Sequence, residues 1–150
     1  MRAVVQRVSR ASVNIDEKEY SRIGQGLLIL LGIGLSDTEE DVNWLVKKTA
    51  ALRIFNDDEG VMNRSVKEIG GEVMVVSQFT LLASYKKGNR PSYIYAAKPD
   101  VSIPLYEDFC RKMSDEMGRK IAHGVFGADM KLDFINDGPV TICMDTKNKE

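Results

Sequence analysis

Lys131-Leu132-Asp133-Phe134-Ile135 runs into Asn136-Asp137-Gly138-Pro139, and Val140-Thr141-Ile142-Cys143-Met144 follows. The first five residues alternate polar and apolar side chains and the last five are mostly apolar. The pattern predicts a strand, a tight Gly-Pro corner and a second strand. Pro139 has no N–H and a fixed φ, which suits a strand start or an edge but not the middle of a ladder. Gly138 has no Cβ, so backbone there can approach a ligand closely. A cis Gly138–Pro139 bond costs only about 0.5–1 kcal/mol relative to trans, so a sharply turned corner is accessible. A lone Asp-Gly-Pro is also what an ordinary hairpin turn uses, and only a second motif can decide between turn and site.

Outward from this stretch, the chain reads as α+β: mainly antiparallel strands in a mixed sheet, with two main amphipathic helices, in a single domain over residues 1–150. Met1 to Val8 and Ala11 to Ile15 read as two strands, with Tyr20 to Ile23 returning after the polar turn Asp16-Glu17-Lys18. Leu27 to Ile33 is a continuous apolar run of the kind expected for a central strand. Gly32 and Gly34 lack the Lys-Ser/Thr of a phosphate loop and are assigned to close packing and turning. Ser36 with Glu39, or Asp37 with Glu40, makes a capping box for a first helix that ends near Leu52, with Val42, Leu45, Val46 and Ala50 on its apolar stripe. Val61 to Lys67 and Glu72 to Val76 read as strands around a Gly70-Gly71 turn. Ser102 caps a second helix carrying Leu105, Phe109, Cys110, Met113 and Met117, and Arg119 to Phe126 follows as a strand.

Composition sets the broad class. The 150 residues are 43% hydrophobic and 29% charged, ordinary for a globular domain that buries its own core. The net charge of −1 means that any contact with nucleic acid depends on a local patch. Cys110 and Cys143 lie in apolar runs without metal-type spacing and read as reduced, buried core residues. No apolar run reaches about 18 residues and no signal peptide is evident, which predicts a soluble cytoplasmic protein without a membrane span. Asp57-Asp58-Glu59-Gly60 lacks the alternating ligands of a calcium loop and reads as a turn.

Candidate chemistry is sparse. His123 is the only histidine and sits in an apolar run, which makes it a structural residue before a catalytic base. One histidine and two apolar cysteines argue against a catalytic zinc site. Lys86-Lys87-Gly88-Asn89-Arg90, followed by Tyr93 and Tyr95, interleaves cations with aromatics as a phosphate- and base-binding loop does, and equally as a solvated surface loop does. Ser77-Gln78-Phe79-Thr80-Leu81 is the second motif. It places two hydroxyls and a carboxamide where an apolar strand emerges, and strand ends are where fixed polar groups can face a pocket.

Together, Ser77-Gln78-Phe79-Thr80-Leu81 and Asn136-Asp137-Gly138-Pro139-Val140-Thr141 resemble the motif pair of the D-aminoacyl-tRNA deacylases. The resemblance covers essentially the whole chain, including Met1-Arg2-Ala3-Val4-Val5-Gln6-Arg7-Val8 and Gly124-Val125-Phe126-Gly127-Ala128-Asp129-Met130. Ser77 at the head of its motif distinguishes the chain from the animal relative, which begins that motif with Pro and proofreads misacylated L-alanine. The resemblance implies a homodimer in which each corner enters the neighbouring subunit's pocket. There the cis Gly138–Pro139 bond, flanked by Asn136, Val140 and Thr141, aims carbonyls at the chiral centre and rejects L side chains while D-amino acids and glycine fit. It also implies a catalytic group of Ser77, Gln78, Phe79 and Thr80. The terminal adenosine of the aminoacyl-tRNA would lie against Phe126, Gly127, Ala128 and Met130. No cofactor or metal is expected. With no protein base in view, the ribose 2′-hydroxyl is expected to assist attack by water, and Thr80 as a covalent nucleophile is disfavoured because nothing nearby activates it. The alternative class is a non-catalytic dimeric nucleic-acid-binding module.

Overall fold

The computed structural model describes residues 1–150. It is organised by one long bent hairpin. β1 (Arg2–Ile15) turns at Asp16-Glu17, both at positive φ, into β2 (Lys18–Ile23) and then β3 (Gly26–Gly32). β3 pairs with Arg2 to Val8 and β2 with Ala11 to Ile15, so β2 and β3 lie along the same edge of β1. The other edge of β1 pairs antiparallel with β8 (Lys131–Asp145). Beyond β3, β6 (Glu72–Ser77) and β7 (Ala122–His123) add in parallel. The short pair β4 (Phe55–Asn56) and β5 (Met62–Arg64) stands apart. The expected α+β class and mixed, mainly antiparallel sheet are therefore found.

Strand parity divides the core. Ala3, Val5, Leu27, Ile29, Leu31, Val73 and Val75 face α1 (Glu39–Ala50) and α2 (Pro99–Met117), where Leu45, Phe109 and Met113 are fully buried. Val8, Val13, Leu28, Met74 and Val76 turn to the opposite face and form a smaller cluster with Leu132 and Phe134 of β8. The central apolar run is thus buried on both sides, as its lack of alternation predicts.

Several boundaries differ from the sequence reading, each for a local reason. Arg2 to Ile15 forms one strand because β8 supports it along nearly its whole length. The capping box of α1 is Thr38 with Asp41, whose carboxylate accepts the Thr38 N–H at 2.8 Å. Asp37 is diverted: it accepts the buried Met1 amine at 2.5 Å and the Gly34 N–H at 2.6 Å. α2 starts at Pro99, whose fixed φ suits the first helical position, so Ser102 lies inside the helix and its hydroxyl donates to Lys98 O. The expected strand over Arg119 to Phe126 shrinks to Ala122–His123, because Val125 to Ala128 turns away from the sheet with Gly127 at φ +77°. Strand pairing over Val61 to Lys67 is confined to Met62–Arg64. Cys143 is exposed rather than buried, since it occupies the outward parity of β8, while burial pushes the Cys110 thiol up to about 12. No helix is long and apolar enough to cross a membrane.

Candidate functional site

β6 carries the apolar run Val73 to Val76 beside β3 and ends with Ser77 paired to Leu31. Gln78 then leaves the ladder, its N–H held by Leu31 O at 2.8 Å, and Phe79–Leu82 closes as a 3₁₀ turn. This turn lies directly on Gly32. A Cβ there would stand 2.6 Å from Leu82 Cδ2 and 2.9 Å from Gln78 O, so the glycine in the central strand permits the close approach. The first bond of the turn runs from the Leu81 N–H to Gln78 O. The Phe79 and Thr80 N–H groups therefore precede it, as donors at any helix start do. Gln78 donates its side-chain N–H to the Thr80 hydroxyl, which fixes both side chains. Phe79 is 55% exposed, so it is no core anchor, and it meets Tyr93 edge-on at 5.0 Å between ring centroids.

Ser77, Gln78 and Phe79 line one side of a cavity of about 290 Å³, and Phe126, Gly127, Ala128 and Met130 line the other. The second wall is shaped by small residues and by packing. Gly124 leaves room for the Met130 thioether, since a Cβ there would sit 2.4 Å from Sδ. Phe126 packs edge-on against Tyr106, whose hydroxyl donates to Val75 O at 3.0 Å. Burial holds the Tyr106 phenol well above its ordinary range, so it stays neutral. Leu31, Ile33, Val76 and Leu132 complete an apolar floor, with Ala97 and Ser102 at the α2 side. The only ionisable lining residue is Asp129, which pairs with Lys131 at 2.9 Å and is 85% exposed. His123 is not in this lining; its Nδ1 faces Gly124 O at 2.8 Å. The cavity therefore offers an apolar slot, hydroxyls, a carboxamide and backbone donors, and its one carboxylate, Asp129, is turned to solvent and paired with Lys131.

The expected strand, corner and second strand are one strand, β8, interrupted by a protrusion. Gln6 pairs with Thr141 and Val8 with Asn136, so Asp137 to Val140 bulge out opposite the single residue Arg7. Asn136 closes the base of the bulge: its Oδ1 accepts the Val140 N–H at 2.8 Å, and its Nδ2 donates to Thr141 Oγ1 at 3.0 Å. Arg7 closes it from beneath, donating from Nε to Asp137 O and from Nη1 to Ile54 O, each at 2.8 Å. At the tip the Gly138–Pro139 peptide is cis and both residues are exposed. Gly138 has φ +151°, and a Cβ on it would lie 2.6 Å from Val140 N. The glycine is thus required by the corner itself, before any ligand is considered.

Within one chain the structure joins the first motif to the residues expected around adenosine. It does not bring Asn136, Gly138, Pro139, Val140 or Thr141 into that cavity's lining, and Thr80 flanks the cavity without lining it. Arg7, Ala97 and Ser102 were not singled out as site residues by the sequence. Arg7 carries a usable signal: it shares the inward parity of Ala3 and Val5, where a cation needs fixed partners. A larger concavity of about 700 Å³ lies between α1 and the C-terminal half of β8, around Trp44, Lys48 and Ile142, and of the two motifs it touches only Leu81.

Residues 4–145 match the family model described as D-Tyr-tRNA(Tyr) deacylase. A protein of Bacteroides thetaiotaomicron called D-aminoacyl-tRNA deacylase is 64% identical over all 150 residues of both chains. Among solved structures, the c-Myc DNA Unwinding Element Binding Protein superposes with a TM-score of 0.90 at 39% identity, covering 97% of this chain and 99% of that one. A probable eukaryotic D-amino acid tRNA deacylase shares the fold at a TM-score of 0.80 and 20% identity, over 95% and 97% of the two chains.

Proposed function

Because the chain belongs to the D-Tyr-tRNA(Tyr) deacylase family, we propose that the cavity between Ser77–Phe79 and Phe126–Met130 is where it acts as a hydrolase on the ester of D-aminoacyl-tRNA. The observation that carries this assignment is the cavity's composition: an apolar slot beside a pre-formed, half-buried turn of polar groups, whose only ionisable lining residue is the exposed, Lys131-paired Asp129. The terminal adenosine occupies the slot against Phe126, Gly127, Ala128 and Met130. The ester carbonyl faces the Phe79 and Thr80 N–H groups, which stabilise the developing oxyanion. Water adds to the carbonyl carbon with the ribose 2′-hydroxyl relaying its proton. The C–O3′ bond then breaks, the 3′-oxygen takes up the proton, and the D-amino acid leaves as its acid. Ser77, Gln78 and Thr80 hold water and ester in line, and placement is the protein's main contribution.

Chirality is read by the corner of a second copy. In one chain the Gly138-Pro139 tip lines no wall of the cavity, while β8 is a fifteen-residue edge strand whose outer edge is unpaired. Long unpaired edges invite pairing with another chain. A homodimer that places each tip over the partner's cavity gives a wall of backbone. An L side chain collides with that wall, whereas D-amino acids and glycine fit without their identity being read. This reading places the enzyme in the cytoplasm with the tRNA pool. A non-catalytic nucleic-acid-binding module accounts for the exposed lysines and tyrosines of residues 84–95 but leaves the cavity and the braced corner without a task. The test is incubation with D-Tyr-tRNA and L-Tyr-tRNA under one condition. Rapid loss of the D ester with the L ester spared is expected; equal turnover, or binding without ester loss, refutes the reading.

A further inference from the structure

Between Glu72 and Asp100 the chain holds no acidic residue, yet it carries Lys86, Lys87, Arg90 and Lys98. All four are exposed and none takes part in an ion pair, although the protein as a whole is nearly neutral. The segment is tied to the cavity at both ends. It leaves the turn that carries Phe79 and returns at Ala97, and both of these residues line the cavity. Its stem is closed by reciprocal backbone bonds between Ser84 and Ser92 at 2.7 and 2.8 Å, with Gly88 at φ +82° at the tip. Tyr85 is 76% exposed and Tyr95 55%, and Tyr93 is anchored on Phe79.

From this juxtaposition we infer that the 84–95 hairpin is the docking surface for the single-stranded 3′ end of the tRNA, holding the nucleotides that precede the terminal adenosine. The inference rests on the deacylase reading, because the strand end that enters the cavity must continue along its rim. Cations that have no protein partner neutralise successive phosphates. Exposed tyrosines offer faces on which unpaired bases stack without regard to sequence, as an enzyme acting on many tRNAs requires. A duplex presents no unstacked bases to such side chains, which favours the single-stranded end over double-stranded nucleic acid.

The test compares two substrates, D-Tyr-tRNA and D-tyrosyl-adenosine; the second ends where the hairpin's contacts begin. For a Lys86→Ala/Lys87→Ala/Arg90→Ala variant, KM for D-Tyr-tRNA should rise on the order of tenfold at about 0.1 M salt with kcat within about twofold. The slope of log(kcat/KM) against log[salt] should become shallower by about 2, at roughly 0.7 per single-strand phosphate released. Tyr85→Ala should lower kcat/KM on the tRNA by about fivefold or more through lost stacking. Neither variant should change turnover of D-tyrosyl-adenosine. Unchanged KM and salt slope on the tRNA would overturn the inference, and so would an equal loss on both substrates, which would put the hairpin's effect inside the cavity. Weaker binding of duplex DNA with unaltered tRNA kinetics would overturn it too. A wild-type protein inactive on both esters would instead remove the deacylase reading itself.

Discussion

Replacing Arg7 by lysine tests whether the corner works because it is held. Arg7 is only 9% exposed and spans two carbonyls that belong to different segments, Asp137 in β8 and Ile54 before β4, each at 2.8 Å. Lysine keeps the charge and most of the stem but is a point donor, and it cannot hold two carbonyls in the fixed fork of a guanidinium. One charge-assisted hydrogen bond is lost, worth about 1.5–3 kcal/mol where the acceptor stays dry. Ile54 is buried while Asp137 is half-exposed, so the lysine should keep the Ile54 carbonyl and release Asp137 to water. The net destabilisation should then be about 1–2 kcal/mol, a fall in Tm of roughly 2–4 °C per kcal/mol at this chain length.

That leaves a folded protein with an unbraced corner. A displacement of the order of 1 Å in a positioning group costs up to about 10²-fold in rate, so D-Tyr-tRNA hydrolysis should fall by about 10- to 100-fold. The D/L rate ratio should fall with it, because the proposed wall against L side chains has moved. Single-turnover ester loss on both substrates, with circular dichroism to establish folding, reads the effect. Arg10→Lys is the internal control: Arg10 meets Asp133 at 3.2 Å across the same strand pair, but both side chains are more than half exposed. Such a pair contributes about 0–1 kcal/mol and should leave the ratio alone. A folded Arg7→Lys protein with a wild-type D/L ratio would refute the reasoning.

Two further predictions follow from geometry elsewhere. Thr80→Ala removes the acceptor of the Gln78 amide and one positioning hydroxyl but no nucleophile, so activity should fall by about tenfold and not vanish; an aminoacyl ester on Thr80 in acid-quenched wild-type reactions, detected by mass spectrometry, would establish covalent catalysis instead. At Asp41, burial acts to raise the carboxyl pKa, but hydrogen bonds from Lys147, Thr146 and the Thr38 N–H outweigh it and hold the group well below the carboxylate range. A depressed folded pKa means that its contribution to stability is complete above about pH 5 and is lost as pH falls through the unfolded value near 4 and beyond. Asp41→Asn should therefore cost about 1–3 kcal/mol at pH 7, and the gap to wild type should narrow toward pH 3 in urea titrations; a constant gap would sink the assignment.

How far the sequence reveals this molecule depends on the range of the interaction concerned. Local patterns were legible: the doubly buried Leu27-to-Ile33 run, the stripe of α1, and the polar cluster that ends β6. Competition between partners was not. Asp37 reads as a cap until the Met1 amine arrives beside it from the far end of β1 and leaves the cap to Thr38. Cys143 reads as core because its neighbours are apolar, but its parity in β8 turns it outward. The interrupted strand near Asn136 looks like a corner between two strands, because the ladder that continues past the bulge is supplied by β1, more than a hundred residues away.

The two motifs carry their information in different forms, one mostly in its own side chains and the other in backbone shaped from elsewhere. The groups proposed to act at Ser77 to Thr80 are contained in the motif itself, on a turn whose own bonds are local, with Leu31 and Gly32 as its remote support. In the proposed reading the corner acts through its backbone, so its side chains say little about that task. Its shape is imposed by Asn136 from within and by Arg7 from across the sheet. An enzyme that must ignore side-chain identity while reading handedness needs a fixed backbone wall, and fixing backbone requires donors outside the motif. Arg7 is therefore where a change distant in sequence should alter selectivity more than stability, whereas Asp41, equally well bonded, should alter stability and leave the D/L ratio unchanged.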